Sequence, residues 1–340
     1  MNGTNHFASL EVYSSGPRRV DLFVTCVVDA LAPEVGVATV GVLRNAACVV
    51  DVPSGQTCCG QPAWNAGFVA EAAQVARASL RALVGADGLG RDGDGDAIGG
   101  AGGDDGDVRG GDQVPTVVVP AGSCAAMIRN HWEELFTMDG DQESARLARG
   151  VAARTMELTE FLGTVVAQPG SDQRASADDV SEVASGIDAA AHIATTDSAP
   201  TDSAPTAAPA EHRPGTPNST RAYHRSCHME RELGLHHEPI DALKMAGITC
   251  ADWPEDDRCC GFGGTFAARL PEVSTAMADD KLDSIPVGVD VVVGADSSCL
   301  MHLASRAARR GDTTQFVHIA NLLADCELPG PSQARQPSAP

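Results

Sequence analysis

The sequence predicts an α/β protein made of two copies of one unit, each a small parallel sheet flanked by helices. Three observations predict it. Cys58-Cys59-Gly60 and Cys259-Cys260-Gly261 are two vicinal cysteine pairs, each followed by glycine. Each has a lone cysteine upstream across 31 intervening residues (Cys26, Cys227) and another downstream (Cys124, Cys299). Short apolar runs alternate with stretches of helical periodicity in both halves. A Ser/Ala/Thr/Pro/Asp-rich stretch at 168–220 parts the copies.

In the first copy, residues 20–25 (VDLFVT) are an apolar run ending at Cys26, which reads as a buried strand that delivers the cysteine at its C-terminal end. Residues 33–43 suit a short amphipathic helix and 46–52 (AACVVDV) a second strand. Pro53, Ser54 and Gly55 mark the turn into Cys58-Cys59. The alanine-rich span 62–84 has apolar positions at helical spacing, 114–120 (VPTVVVP) is a third strand, and helices at 124–136 and 143–162 close the copy. The second copy repeats this order, with strands at 221–226, 247–252 and 289–294 and helices at 265–283, 299–309 and 316–324. Sixty-four residues separate Cys59 from Cys124, and a 28-residue Gly/Asp-rich insert (86–113) accounts for the excess. The remaining 36 compare with 38 between Cys260 and Cys299. Even the closing helices match, MELTEFL (156–162) against VHIANLL (317–323). Parallel sheets of this kind gather ligands at the C-terminal ends of their strands, so each copy can bring four thiolates to one point.

The expected organisation is a flexible N-terminus (1–19), a first domain (20–167), a linker (168–220), a second domain (221–326) and a flexible tail (327–340). The insert reads as a disordered surface loop. Its Asp92-x-Asp94-x-Asp96 run lacks the bidentate Glu of a calcium loop, with Gly103 in that place. As a coil the linker spans roughly 40 Å and dictates no domain orientation. Of the net charge of −22, the insert and linker carry −12, which leaves −10 elsewhere. That excess excludes a nucleic-acid partner, since phosphate contact needs a basic face. No run of 18 apolar residues offers a transmembrane segment, and residues 1–19 have no signal-peptide pattern. The expectation is a cytoplasmic protein, where thiols stay reduced and paired cysteines act as metal ligands or redox groups.

Thiolates are soft ligands that favour iron–sulfur clusters, zinc or copper(I). No two cysteines have the C-x₂₋₄-C spacing of zinc knuckles, and adjacent cysteines diverge too much to suit one zinc. A multi-iron core accepts diverging thiolates on different irons, and the glycine after each pair lets backbone approach it. The GFGG run at 261–264 extends that room. It lacks the Lys-Ser/Thr end of a phosphate loop.

TCCGQPAWNAGF (57–68), PAGSCAAMIRNHW (120–132), YHRSCHMERELGL (223–235), CCGFGGTF (259–266) and PEVSTAMADDK (271–281) carry a family resemblance. They resemble the cysteine-rich CCG domain found in heterodisulfide reductase, in succinate-type reductase subunits and in glycolate oxidase iron–sulfur subunits, and more closely the lactate utilization protein A family. The resemblance covers about 20–162 and 221–324. It implies two CCG domains related by pseudo-two-fold symmetry, and an iron–sulfur, electron-transferring subunit of a complex that oxidises L-lactate to pyruvate. It also implies two partners, a ferredoxin-domain subunit and a third lactate utilization subunit. A small 2-hydroxy acid would be the substrate of the complex, and this chain an oxidoreductase subunit rather than a complete enzyme. The alternatives are a glycolate oxidase iron–sulfur subunit, a heterodisulfide-reductase-like redox protein and, in another class, a zinc-binding non-redox scaffold.

The resemblance and the spacing together assign Cys26, Cys58, Cys59 and Cys124 to one cluster and Cys227, Cys259, Cys260 and Cys299 to the other. The fuller family pattern ends in C-x-x-C, five cysteines per domain. Here Ala121 and Asp296 stand at the first of those positions, so each half offers the four thiolates of a [4Fe–4S] core. Asp296 reads as a capping or solvated carboxylate. Cys48 and Cys250 fall within strands and read as buried thiols, and Cys326 as incidental. His224 and His228 flank Cys227 and are the catalytic candidates, to tune a cluster through hydrogen bonds or to carry the lactate proton. His131 and His302 read as helix-packing residues. Arg129, Arg225 and Arg231 are candidate carboxylate holders.

Overall fold

The structure is a computed structural model, and it describes residues 18–85, 114–166 and 219–326. The expectations for the insert, for 168–218 and for the chain ends 1–17 and 327–340 lie outside the described residues. The first half is a four-stranded parallel sheet in the order β2-β1-β3-β4, formed by β1 (Arg18–Leu22), β2 (Cys48–Asp51), β3 (Thr116–Val119) and β4 (Thr155–Glu157). Val20 pairs with Val50, and Val118 with Met156. The second half is a three-stranded parallel sheet, β5-β6-β7, from β5 (Arg221–His224), β6 (Val291–Gly294) and β7 (Gln315–His318). The α/β class with two small parallel sheets is therefore as the sequence predicts.

Helices α1 (Cys26–Leu31), α2 (Pro33–Asn45), α3 (Gln61–Asn65) and α4 (Val69–Val84) follow β1 and β2. The expected helix 62–84 is thus broken around Ala66–Phe68. After β3, α5 (Gly122–Ala126) passes through a π turn (Met127–His131) into α6 (Trp132–Met138). The expected helix 143–162 proves to be α7 (Gln142–Ala153), then β4, then α8 (Leu158–Val166). The second half has a π turn (Met229–Leu233), α9 (Glu238–Met245), α10 (Thr265–Arg269), α11 (Pro271–Asp283), α12 (Ser297–Arg310) and α13 (Ile319–Ala324). The matched segments MELTEFL and VHIANLL are equivalent, but each is the end of a short strand running straight into a helix.

The expected strand at 247–252 is not one. Ala251 N donates to Arg221 O at 2.6 Å, yet no ladder forms on that side of β5. Where β2 has Val49 and Val50, this segment has Thr249, Cys250 and Ala251, with Pro254 close behind. Its Cys250 and Ala251, at the places of Val49 and Val50, have no β-branched side chain, although Ile248 and Thr249 just before them do, and the nearby Pro254 cannot donate to a ladder.

The halves share one core. Val20, Leu22, Leu43, Val118 and Phe161 of the first half form a single buried cluster with Tyr223, Leu243, Val293, Val317 and Leu323 of the second. Polar bonds finish the seam. Ser123 N donates to Asp296 Oδ2 (3.1 Å), Asn130 Nδ2 to Glu232 O (3.0 Å) and His318 Nε2 to Pro120 O (3.2 Å). This shared core fixes how the halves sit, whatever the length of the chain between them.

At the seam α5 abuts the second-half π turn. A Cβ on Gly122 would lie 2.1 Å from Met229 Cγ. Gly122→Ala is expected to cost about 1–3 kcal/mol through overpacking, read by chemical denaturation, and Met229→Ala in the same chain to recover part of the loss. Unchanged stability in Gly122→Ala would contradict this packing.

Candidate metal centres

Each lone upstream cysteine leaves the end of a strand, each pair sits in the loop that closes over that strand, and each downstream cysteine lies in the helix after the next strand. In the first half, Cys26 opens α1 and its Sγ lies 3.4 Å from Cys58 Sγ, while Cys59 Sγ lies 3.2 Å from Cys124 Sγ. The loop is pinned from several sides. Gln56 accepts from Val24 N and donates to Leu22 O and Pro53 O. Ser79 Oγ donates to Cys58 O, and Trp132 Nε1 donates to Cys59 O at 2.8 Å. Gly60, at φ 88°, passes so close to α4 that a Cβ would stand 2.8 Å from Ala72 O, which leaves glycine as the residue that fits.

The second half repeats the arrangement. Cys260 Sγ lies 3.0 Å from Cys299 Sγ, and Cys227 lies against Cys259. Gly261, at φ 86°, would put a Cβ 2.6 Å from Ser274 O. Ser274 Oγ donates to Gly261 O. Lys281, fully buried, holds the approach to the pair by donating to Glu255 O (2.7 Å) and Asp256 O (2.9 Å), and its ammonium sits 3.8 Å from the Trp253 ring centre. Burial depresses its pKa to about 8, and the two carbonyls and the ring face meet the charge that remains.

All eight sulfurs are free thiols, and the contacts of 3.0–3.4 Å are well beyond the ~2.05 Å of a disulfide. The first cysteine of each pair is poised alike in both sites. Cys58 is held far below the usual thiol range, first by the hydrogen bond from Cys26, then by Cys59 and the Gly60 N–H. Cys259 is lowered likewise by Cys227, then Cys260 and the Gly261 N–H. Their donors Cys26 and Cys227 are pushed up, chiefly by those same bonds. So many negative charges in contact repel strongly in a partly buried site. A bound cation would relieve that repulsion and let the thiols ionise together. A soft metal group fits this donor set.

The second site carries a further group. His224, the last residue of β5, has a ring nitrogen within 4.8 Å of Cys260 and Cys299 Sγ, and these three are mutually placed to hold a metal. The ring is buried and neither nitrogen has a hydrogen-bond partner; the Asp256 backbone approaches without bonding geometry. Burial, then the Lys281 charge, lowers its pKa to about 3, so it is a neutral imidazole at pH 7. The hydroxyls of Ser226 and Ser297, beside Cys227 and two residues before Cys299, are also buried without partners. Spacing alone sets His224 near the mouth of its site; the structure puts it inside. Its signal lay in comparing the copies, because three residues before Cys26 the first copy has Phe23.

The remaining candidates have other partners, and His228 lies at the edge of the second site. His228 Nδ1 is 3.6 Å from Cys227 Sγ, and Nε2 is 3.5 Å from Glu232, which also meets His131 at 3.0 Å across the seam. His302 meets Ser274 Oγ at 3.2 Å. Arg129 is engaged by both oxygens of Glu160, and Arg225 by Asp256 and Glu230. Arg231 is exposed. Ala121 is buried and offers no donor. Asp296 caps α12: Oδ1 accepts from Ser298 N and Oγ, and Oδ2 from Ser123 N of the other half. Cys48 is buried, while Cys250 and Cys326 are half-buried.

A family model described as "Cysteine-rich domain" (CCG) matches the chain twice, at 20–88 and 221–304. "Lactate utilization protein A" of Geobacillus kaustophilus is 33% identical over 307 residues, 90% of this chain and 98% of that protein. The protein of the same name from Geobacillus thermodenitrificans is 32% identical over the same shares. "Lactate utilization protein A 2" of Bacillus cereus strain Q1 is 29% identical over 308 residues.

With both oxygens occupied, Asp296 acts as a cap and a seam residue. Asp296→Ala is expected to cost on the order of 2 kcal/mol for the buried bonds it removes, by chemical denaturation, with bound metal per folded chain unchanged. Loss of metal without loss of stability would make Asp296 a ligand.

Proposed function

The chain belongs to the lactate utilization protein A family, and we propose that it is the iron–sulfur, electron-transferring subunit of a complex that oxidises L-lactate to pyruvate. The observation that carries this reading is the pair of four-sulfur sites, each with its sulfurs crowded to contact and the first cysteine of the pair held below the usual thiol range by its neighbours. An iron–sulfur core bound at each site would supply one-electron transfer.

The residues of the chain do the rest. Cys26, Cys58, Cys59 and Cys124 bind one core and Cys227, Cys259, Cys260 and Cys299 the other, four thiolates each, the number a [4Fe–4S] core takes. The Gly60 and Gly261 N–H groups point at the Cys58 and Cys259 sulfurs at 3.4 and 3.5 Å, and hydrogen bonds to ligand sulfur tune such a centre. Burial of Cys59, Cys124, Cys260 and Cys299 keeps water from the inner side of each site. The outer cysteines, Cys26, Cys58, Cys227 and Cys259, are half-buried, which leaves a side from which electrons can enter or leave. A ferredoxin-domain subunit and a third lactate utilization subunit are the proposed partners, a small 2-hydroxy acid the substrate of the complex, and the reducing cytoplasm the compartment that keeps the thiols free. The described residues include no helix long and apolar enough to cross a membrane.

In the organism that carries this chain, deleting its gene should abolish growth on L-lactate and spare growth on glycolate. The wild-type gene should restore growth and Cys259→Ser should not. Undiminished growth on L-lactate after deletion would contradict the reading, and a defect confined to glycolate would reassign the substrate.

A further inference from the structure

The two sites share a plan but not a donor set. Aligned on the cysteines, the position three residues before Cys26 and Cys227 holds Phe23, the residue after β1, in one copy and His224, the last residue of β5, in the other. Both side chains are buried, Phe23 completely and His224 at 2% exposure. Phe23 packs into the apolar cluster that holds Cys59 and Cys124. His224 takes the same place with two ring nitrogens and finds no hydrogen-bond partner for either.

Such an arrangement is costly. A buried polar group left unbonded has given up its hydrogen bonds to water without replacement. Two neighbouring hydroxyls, Ser226 Oγ and Ser297 Oγ, are orphaned with it, whereas their counterparts in the first copy are Thr25, whose Oγ1 caps α1 by accepting from Val28 N, and Gly122, which has no side chain. Orphaned polar atoms therefore collect around the second site. Cys260 and Cys299 form a metal-sized triad with the ring, the charges of Cys259, Asp296 and Lys281 act on it, and the Asp256 backbone lies near it without bonding geometry. Asp296 has both oxygens engaged and Lys281 is bound to two carbonyls, so neither supplies the missing partner. A metal would. Imidazole nitrogen and thiolate are compatible ligands for iron and zinc alike, and imidazoles replace thiolates on iron in some iron–sulfur centres.

We propose that His224 is a direct metal ligand of the second site, through a ring nitrogen, so that this site is built from four thiolates and one imidazole while the first is built from four thiolates against the apolar face of Phe23. With Asp296 committed to capping, His224 is the fifth donor of the second site, and the first has none. The two centres of one chain then differ in ligand chemistry and are distinguishable to any probe of the metal. The inference rests on the iron–sulfur reading above.

The test uses the full chain, grown with ¹⁵N-histidine and reconstituted anaerobically with ⁵⁷Fe and sulfide. Pulsed electron paramagnetic resonance of the reduced protein should show the strong ¹⁵N coupling of a directly bonded imidazole. Mössbauer spectra, which read iron in every redox state, should resolve an iron component absent from His224→Phe, the variant that gives the second site the residue of the first. Wild-type protein that binds iron and sulfide, shows no directly bonded nitrogen and gives the same Mössbauer components as His224→Phe overturns this inference and leaves the iron–sulfur reading standing. Protein that takes up zinc and no iron or sulfide overturns both. Because the nitrogen coupling is read on the wild-type chain, the outcome stands even where His224→Phe does not fold.

Discussion

The structure depends on crowding four sulfurs from three separate stretches of chain into contact, twice. Thiols packed at 3.0–3.4 Å gain little from one another, and in the ionised state that a metal demands they repel. The surrounding chain must therefore supply the rigidity. In the first half Gln56, Ser79 and Trp132 tie the cysteine loop to β1, α4 and α6. In the second, Lys281 and Ser274 do so from α11. The two glycines that follow the pairs lie against helix backbone with no room for a side chain. Different residues perform the same task in the two copies, so what repeats is the mechanical requirement more than the sequence that meets it.

Much of this was legible in the sequence. The cysteine spacing revealed the duplication and with it the strand before Cys227, and apolar runs before Cys26, Cys124 and Cys299 located three more, because a buried parallel strand reads as a continuous apolar run. The shortest elements were not legible. β4 and β7 are three and four residues long and run directly into α8 and α13 without a turn residue, so their apolar residues merge with the helical pattern that follows. Residues 247–252 failed in the other direction. Their composition suggests a strand, but pairing is a property of two segments, and only Ala251 reaches β5. The π turns at Met127–His131 and Met229–Leu233 leave no mark in the apolar period.

The site was legible in its cysteines and illegible in its asymmetry. Spacing groups Cys26 with Cys58 but says nothing of what lines the floor, where Phe23 and His224 diverge. Nor does sequence show that Asp296, at the position of an expected ligand, is spent on bonds to Ser298 and Ser123. Those bonds carry a consequence: the carboxylate before Cys299 touches the backbone beside Cys124, so the two sites are joined through the seam by one residue. The shared core and this bridge make the pair of sites a single unit.

The most direct test of the account is the iron, acid-labile sulfide and zinc bound per chain after anaerobic purification of the full-length protein, for wild type, Cys58→Ser and Cys259→Ser. Two independent four-thiolate sites predict a brown wild-type protein carrying iron and sulfide, with each variant losing about half of both. A colourless, zinc-bearing wild type, or full iron retention in both variants, would contradict it.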